Sequence, residues 1–216
     1  MSISATMVKE LRTKTGAGIL DCRKALAENE GDLEAAVDWL RAKGAAKAAK
    51  KSTRAATEGL VHAYIHMGGK LGVLLEVNCE TDFVARGDDF EAFVKDVSMH
   101  IAASNPGWVS RDEVPEDVIG REKKVFIQQA VEAGKPEHIA EKMVAGKINK
   151  FFSENCLLEQ SFVKDEDKTI EQLQIDFVAS SGENIRIRRF VRWELGEGLE
   201  KKVDNFAEEV AAMAQA

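Results

Sequence analysis

Four histidines, three cysteines and scattered carboxylates are the residues with chemistry to offer in this chain. His62 and His66 fall on one face of an alternating stretch. At strand rise they stand roughly 13 Å apart, too far to share a metal ion whose ligands must converge. His100 and His138 have no companions at ligand spacing. Cys22, Cys79 and Cys156 are widely separated and lack a Cys-x-x-Cys pattern, so reduced thiols in a cytosolic protein are expected. Asp88-Asp89 is an adjacent pair expected at a surface. Thr15-Gly16-Ala17-Gly18 is glycine-rich but lacks the lysine with which a phosphate loop reaches its nucleotide. No Gly-x-Ser-x-Gly elbow is present. The expectation is a protein that makes no covalent bonds and holds no cofactor or metal of its own.

What remains is contact chemistry, concentrated in two segments. The first is Val77-Asn78-Cys79-Glu80-Thr81-Asp82-Phe83-Val84-Ala85-Arg86, which follows an apolar strand-like run and precedes an amphipathic helix. Strand ends and loops tend to carry function. Phe83 there has two readings. It fills the local core, with Asp82 capping the next helix, or it stands out as a contact; composition alone favours the core, where most Phe is found. The second segment runs from Glu10 to Leu26 through the Gly16-Ala17-Gly18 turn. Ile19 and Leu20 are consecutive apolar residues at a helix start, and only one can face a narrow core stripe.

The elements that must position these segments follow from periodicity. Residues 1–44 read as a bundle of three short helices. Ser4 caps the first, where Val8 and Leu11 face inward. Ile19, Cys22 and Leu26 carry the second, and Asp32 caps a third that Gly44 ends. Residues 45–58 are Ala-rich and basic (Lys47, Lys50, Lys51, Arg54) and read as a helical linker with a solvated face. From Leu60 the period switches to alternation. Val61, Ala63, Ile65 and Met67 fall on one face and His62, Tyr64 and His66 on the other. Gly68-Gly69 marks a hairpin turn to a second strand through Leu71, Val73, Leu75 and Val77. A helix bearing Phe90, Phe93, Val94, Val97 and Ile101 comes next, then helices near 116–133, from Pro136, and from Thr169 to about Ser180. Ile185 to Leu195 reads as a third strand with Ile185, Ile187, Val191 and Trp193 in phase. Leu199, Val203, Phe206, Val210 and Met213 form the stripe of a C-terminal helix over 197–216. The predicted fold class is α+β. The N-terminal bundle and linker lead to a core over 59–196 with a small antiparallel three-stranded sheet, helices covering one face.

Composition narrows the partners. The chain has 216 residues, 44% hydrophobic and 31% charged, with a net charge of −7 and a pI near 5.3. An acidic chain is a poor general binder of phosphate backbones, so direct nucleic-acid contact is not expected. No apolar run approaches the length of a membrane helix, and Met1 to Thr6 has neither a signal-peptide core nor an Arg-rich transit pattern. A cytoplasmic location is expected.

Both segments, in this order and separation, resemble the signature of bacterial-type elongation factor Ts. The likeness extends to the Lys/Ala linker, Gly134-Lys135-Pro136 with Ile139-Ala140-Glu141-Lys142-Met143, and the tail Gly196-Glu197-Gly198-Leu199-Glu200-Lys201-Lys202. The resemblance implies a guanine-nucleotide exchange factor that acts on elongation factor Tu without covalent chemistry. It implies that Thr81, Asp82, Phe83 and Val84 reach into the partner's nucleotide domain and dislocate its Mg²⁺. It implies that Arg12, Ile19 and Leu20, with Ser181 and Gly182 at the turn before the third strand, dock on the partner. Longer family members have two related sheet-and-helix halves and an added helical hairpin. This chain has room for one half, so the shorter type fits better. A second copy pairing through the exposed edge of the sheet could replace the missing half. Three other functions compete: a pure binding module built on the N-terminal helices, which are similar to ubiquitin-associated domains; an enzyme with an unrecognised pocket; and an RNA-binding surface made by Arg186, Arg188, Arg189 and Arg192.

Overall fold

A computed structural model describes residues 3–134 and 136–199. Helices α1 (Ala5–Thr15), α2 (Ile19–Glu28) and α3 (Leu33–Lys51) come first. The hairpin β1 (Glu58–Ile65) and β2 (Leu71–Cys79) leads through the single turn α4 (Asp82–Ala85) to α5 (Asp88–Ser104). Helices α6 (Glu116–Glu132) and α7 (Glu137–Asn155) follow, then the short pair β3 (Ser161–Phe162) and β4 (Asp165–Thr169), α8 (Ile170–Ser181) and β5 (Arg186–Glu194). This is the α+β fold expected. The C-terminal helix stripe from Val203 to Met213 lies outside the described residues.

The N-terminal caps are where their residue types put them. Ser4 Oγ accepts from the Met7 N–H at 3.2 Å, and Asp32 Oδ1 accepts from Glu34 and Ala35 at 2.9 and 3.0 Å. Gly16 ends α1 with φ +67°, a conformation that favours glycine. Leu11, Cys22, Ala25, Leu26, Ala36 and Leu40 form the bundle's core. One boundary differs from expectation. Gly44 does not stop the third helix, which continues to Lys51 and absorbs part of the linker. Its Ala- and Lys-rich flanks are strong helix formers, and they outweigh one glycine. Gly44 is buried where α3 crosses α8, and a Cβ there would lie 3.5 Å from Ile175 Cγ2. Asp21 on α2 binds Lys43 at 2.7 Å and Lys47 at 2.9 Å, so α2 is fastened to the extended part of α3.

The main sheet has the order β1-β2-β5, antiparallel throughout. Val73, Leu75, Val77 and Cys79 of the central strand point into the main core with Phe90, Phe93, Val94, Val97 and Ile101 of α5. Phe177 of α8 stacks on Phe93 with ring centroids 5.1 Å apart.

One sheet detail departs from the sequence reading. Ile185 and Ile187 are buried, yet Val191 and Trp193 face outward. Val77 pairs with Ile187 and Glu76 with Arg189, which leaves Arg188 as the extra residue of a bulge. One inserted residue moves everything beyond it to the opposite face. Arg188 and Arg189 both close on Glu76 at 2.7 Å, and these hydrogen bonds hold its carboxyl below the ordinary value. On β1 the alternation is as read: Val61, Ile65 and the following Met67 are exposed, while His62 and Tyr64 turn toward the helices. His62 is accommodated there by Ser98 Oγ, 3.1 Å away. The outer sheet face therefore shows rows of Ala63–Leu74–Val191 and Ile65–Gly72–Trp193.

Helices α6 and α7 form an antiparallel hairpin with its own core of Val114, Val144, Ile148, Phe152 and Cys156. The β3–β4 pair escaped the sequence reading because it is short and Asp165-Glu166-Asp167-Lys168 has no apolar alternation. Among the described residues no helix is long and apolar enough to cross a membrane.

Candidate functional site

The apolar run of β2 ends at Cys79, whose side chain is the last to point into the core. Burial, followed by the nearby Glu183 charge, pushes the Cys79 thiol up to about 11. It is thus a neutral donor, and its Sγ lies 3.1 Å from the Thr81 carbonyl oxygen. Thr81 has extended backbone and caps α4, with its hydroxyl accepting from the Val84 N–H at 3.4 Å. Asp82, expected as a cap in the core reading, instead lies in the turn's first position and pairs with Arg86 at 2.9 Å. That pair is exposed on both sides and stabilises little.

Phe83 stands at the crest. It is 84% exposed, whereas Ala85 is buried and Val84 half-buried against the main core. The reading in which Phe83 fills the local core is therefore overturned. Burying a Phe contributes about 1.5–3 kcal/mol, which the fold forgoes at this position. A shallow groove beside the ring is lined by Val84, Phe90, Phe177, Ser180 and Ser181.

The turn is held from far away in sequence. Glu183 Oε2 accepts from the backbone N–H groups of Glu80 and Thr81, both at 3.0 Å, and Glu183 Oε1 accepts from the Thr81 hydroxyl at 2.6 Å. In return, Glu80 Oε1 accepts from the Asn184 N–H at 2.6 Å. The Asn184 side chain reaches the carbonyls of Ser52 and Arg54 at 3.4 and 2.8 Å, just after α3. Sequence reasoning missed Glu183, Asn184 and Glu80. Only a Ser-Gly-Glu-Asn turn between helix and strand marks the first two, and nothing in that pattern names a partner 102 residues away.

Ser181 and Gly182 close α8. Gly182 takes φ +80° and donates its N–H to the Val178 carbonyl, while the Ser181 hydroxyl accepts from the Glu183 N–H at 3.4 Å. The structure thus brings Ser181 and Gly182 to the Thr81–Val84 turn through Glu183.

At the N-terminal end, Ile19 and Leu20 open α2 and are 57% and 81% exposed, so they do not both pack inside the bundle. Arg12 is exposed on the last turn of α1. The end of α8 connects the two regions: Ser180 borders the groove beside Phe83 and also the cleft beneath the Gly16–Gly18 turn.

The described histidines and cysteines outside the turn have partners or places within the fold. His66 pairs with Tyr64. His100 is buried: its Nδ1 accepts from the Val163 N–H and its Nε2 faces Gln160 Oε1, with burial lowering its pKa. The cysteines are free and buried. Among the described residues no group of His, Cys, Asp and Glu converges as a metal site.

Comparison with known proteins bears on this arrangement. The family model described as Elongation factor TS matches residues 33–197. The chain is 61% identical over 214 residues to the Elongation factor Ts of Geobacter sulfurreducens, covering 99% of both chains. It is 60% identical to that of Geotalea daltonii over 216 residues, covering 100% of both, and 58% identical to that of Syntrophomonas wolfei over 208 residues, covering 96% of this chain and 97% of that one.

Proposed function

The chain belongs to the elongation factor Ts family, the nucleotide-exchange factors of translation elongation, and we propose that it acts on elongation factor Tu carrying GDP. In this reading Thr81, Asp82, Phe83 and Val84 enter the partner's nucleotide domain and dislocate its Mg²⁺. Arg12, Ile19 and Leu20, with Ser181 and Gly182, hold that domain in place. The work is mechanical. Mg²⁺ requires near-ideal octahedral geometry, so a small displacement of the partner's elements around it removes much of its binding. GDP then leaves, and GTP, the more abundant nucleotide, takes its place. No bond is made or broken. The place of action is the cytoplasm, and the target is a protein surface, in keeping with a net charge of −7.

The observation that carries this reading is an aromatic side chain left 84% exposed at the crest of a turn whose flanking backbone is tied down. A ring serving its own core would not be placed there. The energetics are those of linkage. If the protein weakens GDP binding to the partner, GDP weakens binding of the protein by the same factor. A nanomolar nucleotide complex stands for about 12 kcal/mol, and each 1.4 kcal/mol or so removed from the release barrier speeds release about tenfold. The assay is release of labelled GDP from elongation factor Tu. Catalytic amounts of the protein should accelerate it, and an unchanged release rate at saturating protein would refute the reading.

The homodimer has a second surface in its favour besides the sheet edge. The rows around Leu74, Val191 and Trp193 leave the outer sheet face apolar and open, and a two-fold axis would set identical rows together. Sedimentation at micromolar protein tests this: dimer in the wild type and monomer in Trp193→Glu are expected, and a wild type that stays monomeric refutes it.

A further inference from the structure

We infer that Glu183 is a positioning residue for the exchange reaction: it sets the direction in which Phe83 points. This rests on the wedge reading of Phe83 given above and adds to it a residue outside the Thr81–Val84 segment.

Four residues of helix cannot hold their own shape, because the first turn fixes several residues for a single hydrogen bond. The crest residue gives no packing in return, since the Phe83 ring is in solvent. The foot of the turn, Ala85 and Val84, fixes one side only. Orientation must therefore come from the polar end, and that end is organised around one carboxylate. Glu183 takes both backbone N–H groups that precede the turn and the Thr81 hydroxyl. That hydroxyl in turn accepts from the Val84 N–H. A continuous path of hydrogen bonds runs from Glu183 through Thr81 to Val84, and Phe83 lies between the last two. Hydrogen bonds to an ionised acceptor are shorter and stronger than neutral ones, and the 2.6 Å contact to Thr81 agrees with that.

The same junction reaches the docking end. Asn184 binds the chain just after α3, and Arg54 lies 3.4 Å from Glu80. The N-terminal helices and the Phe83 turn therefore meet at residues 183–184, which fixes the span between grip and wedge.

The test pairs two measurements on Glu183→Ala, Glu183→Gln and Phe83→Ala in the full chain. In GDP release from elongation factor Tu, Glu183→Ala should lower the saturating rate about tenfold while the half-saturating concentration stays within about threefold. Gln keeps an acceptor for the two N–H groups and a donor for Thr81, so Glu183→Gln should recover to within about threefold of wild type. Amide hydrogen exchange should show lost protection at Glu80 and Thr81 in Glu183→Ala alone. A wild-type saturating rate in Glu183→Ala, or unchanged protection of those two amides, overturns the proposal. If Phe83→Ala keeps the wild-type rate, the wedge reading itself fails, and the amide protection alone then decides whether Glu183 anchors the turn.

Discussion

The Phe83 turn and the Ile19–Leu20 turn both present large apolar side chains at the start of a helix, but they are mounted differently. At Phe83 the helix is a single turn, capped by Thr81 and tied through Glu183 to a segment 102 residues away. At Ile19 the helix has ten residues, and its N-cap Gly18 makes no side-chain cap. Cys22, Ala25 and Leu26 anchor α2 from below, and Asp21 adds two lysine contacts. One mount fixes direction through polar bonds; the other supplies area on a packed helix. The difference fits a division of labour in which Phe83 pushes and Ile19 and Leu20 grip.

Phe83→Ala should have the largest effect on exchange. Interface anchors of this kind are worth about 2 kcal/mol or more, so the saturating release rate should fall about 30-fold or more. Its unfolding midpoint should match wild type, because an exposed ring contributes little to the fold. A variant that unfolds easily would point back to a core role.

Next comes the base of the wedge. Gly59 pairs with Asn78 at φ +139°, and a Cβ there would lie 2.1 Å from the Val77 carbonyl oxygen. Gly59→Ala should cost about 3 kcal/mol in urea unfolding and displace the strand that carries the turn. A wild-type urea midpoint would show that β1 has room to shift.

Leu20→Ala should act on the grip. The expected change is about fivefold in the half-saturating concentration, roughly 1 kcal/mol, with the saturating rate unchanged. A fall in rate with no change in half-saturation would erase the distinction between the two turns.

The smallest effect concerns pH. Hydrogen bonds from Lys43 and then Lys47 hold the Asp21 carboxyl below its ordinary value. On acidification the unfolded chain takes up its proton first, near the free carboxylate value of about 3.9. The stabilisation is thus complete above that value and is lost as pH falls through the lower folded one. The stability gap between wild type and Asp21→Asn should be constant near neutrality and close below about pH 4. A gap independent of pH down to 3 would show that the pair contributes nothing through ionisation.

Much of this was legible in the residues. The α5 stripe, the Ser4 and Asp32 caps and the Gly16 break follow from local rules, and each lies where those rules put it. The end of β2 was legible as a place where function gathers, but the exposure of Phe83 was not, because by residue type alone a Phe reads more readily as core. The Glu183 contact joins segments more than a hundred residues apart, which no local pattern encodes. The bulge at Arg188 was hidden for a related reason: Ile185 to Trp193 alternates well enough to suggest one phase, and only pairing with β2 reveals the extra residue. Gly44 misled because its helix-breaking tendency is weak beside good helix formers and the packing of α8.

The most direct test of push against grip is a competition. Labelled-GDP release from elongation factor Tu is driven by a fixed amount of wild-type protein while Phe83→Ala is added in growing excess. Division of labour predicts that the variant occupies the partner through its intact N-terminal turn and drags release down toward its own slow rate. Release that holds at the wild-type rate, or rises with added variant, would contradict the account.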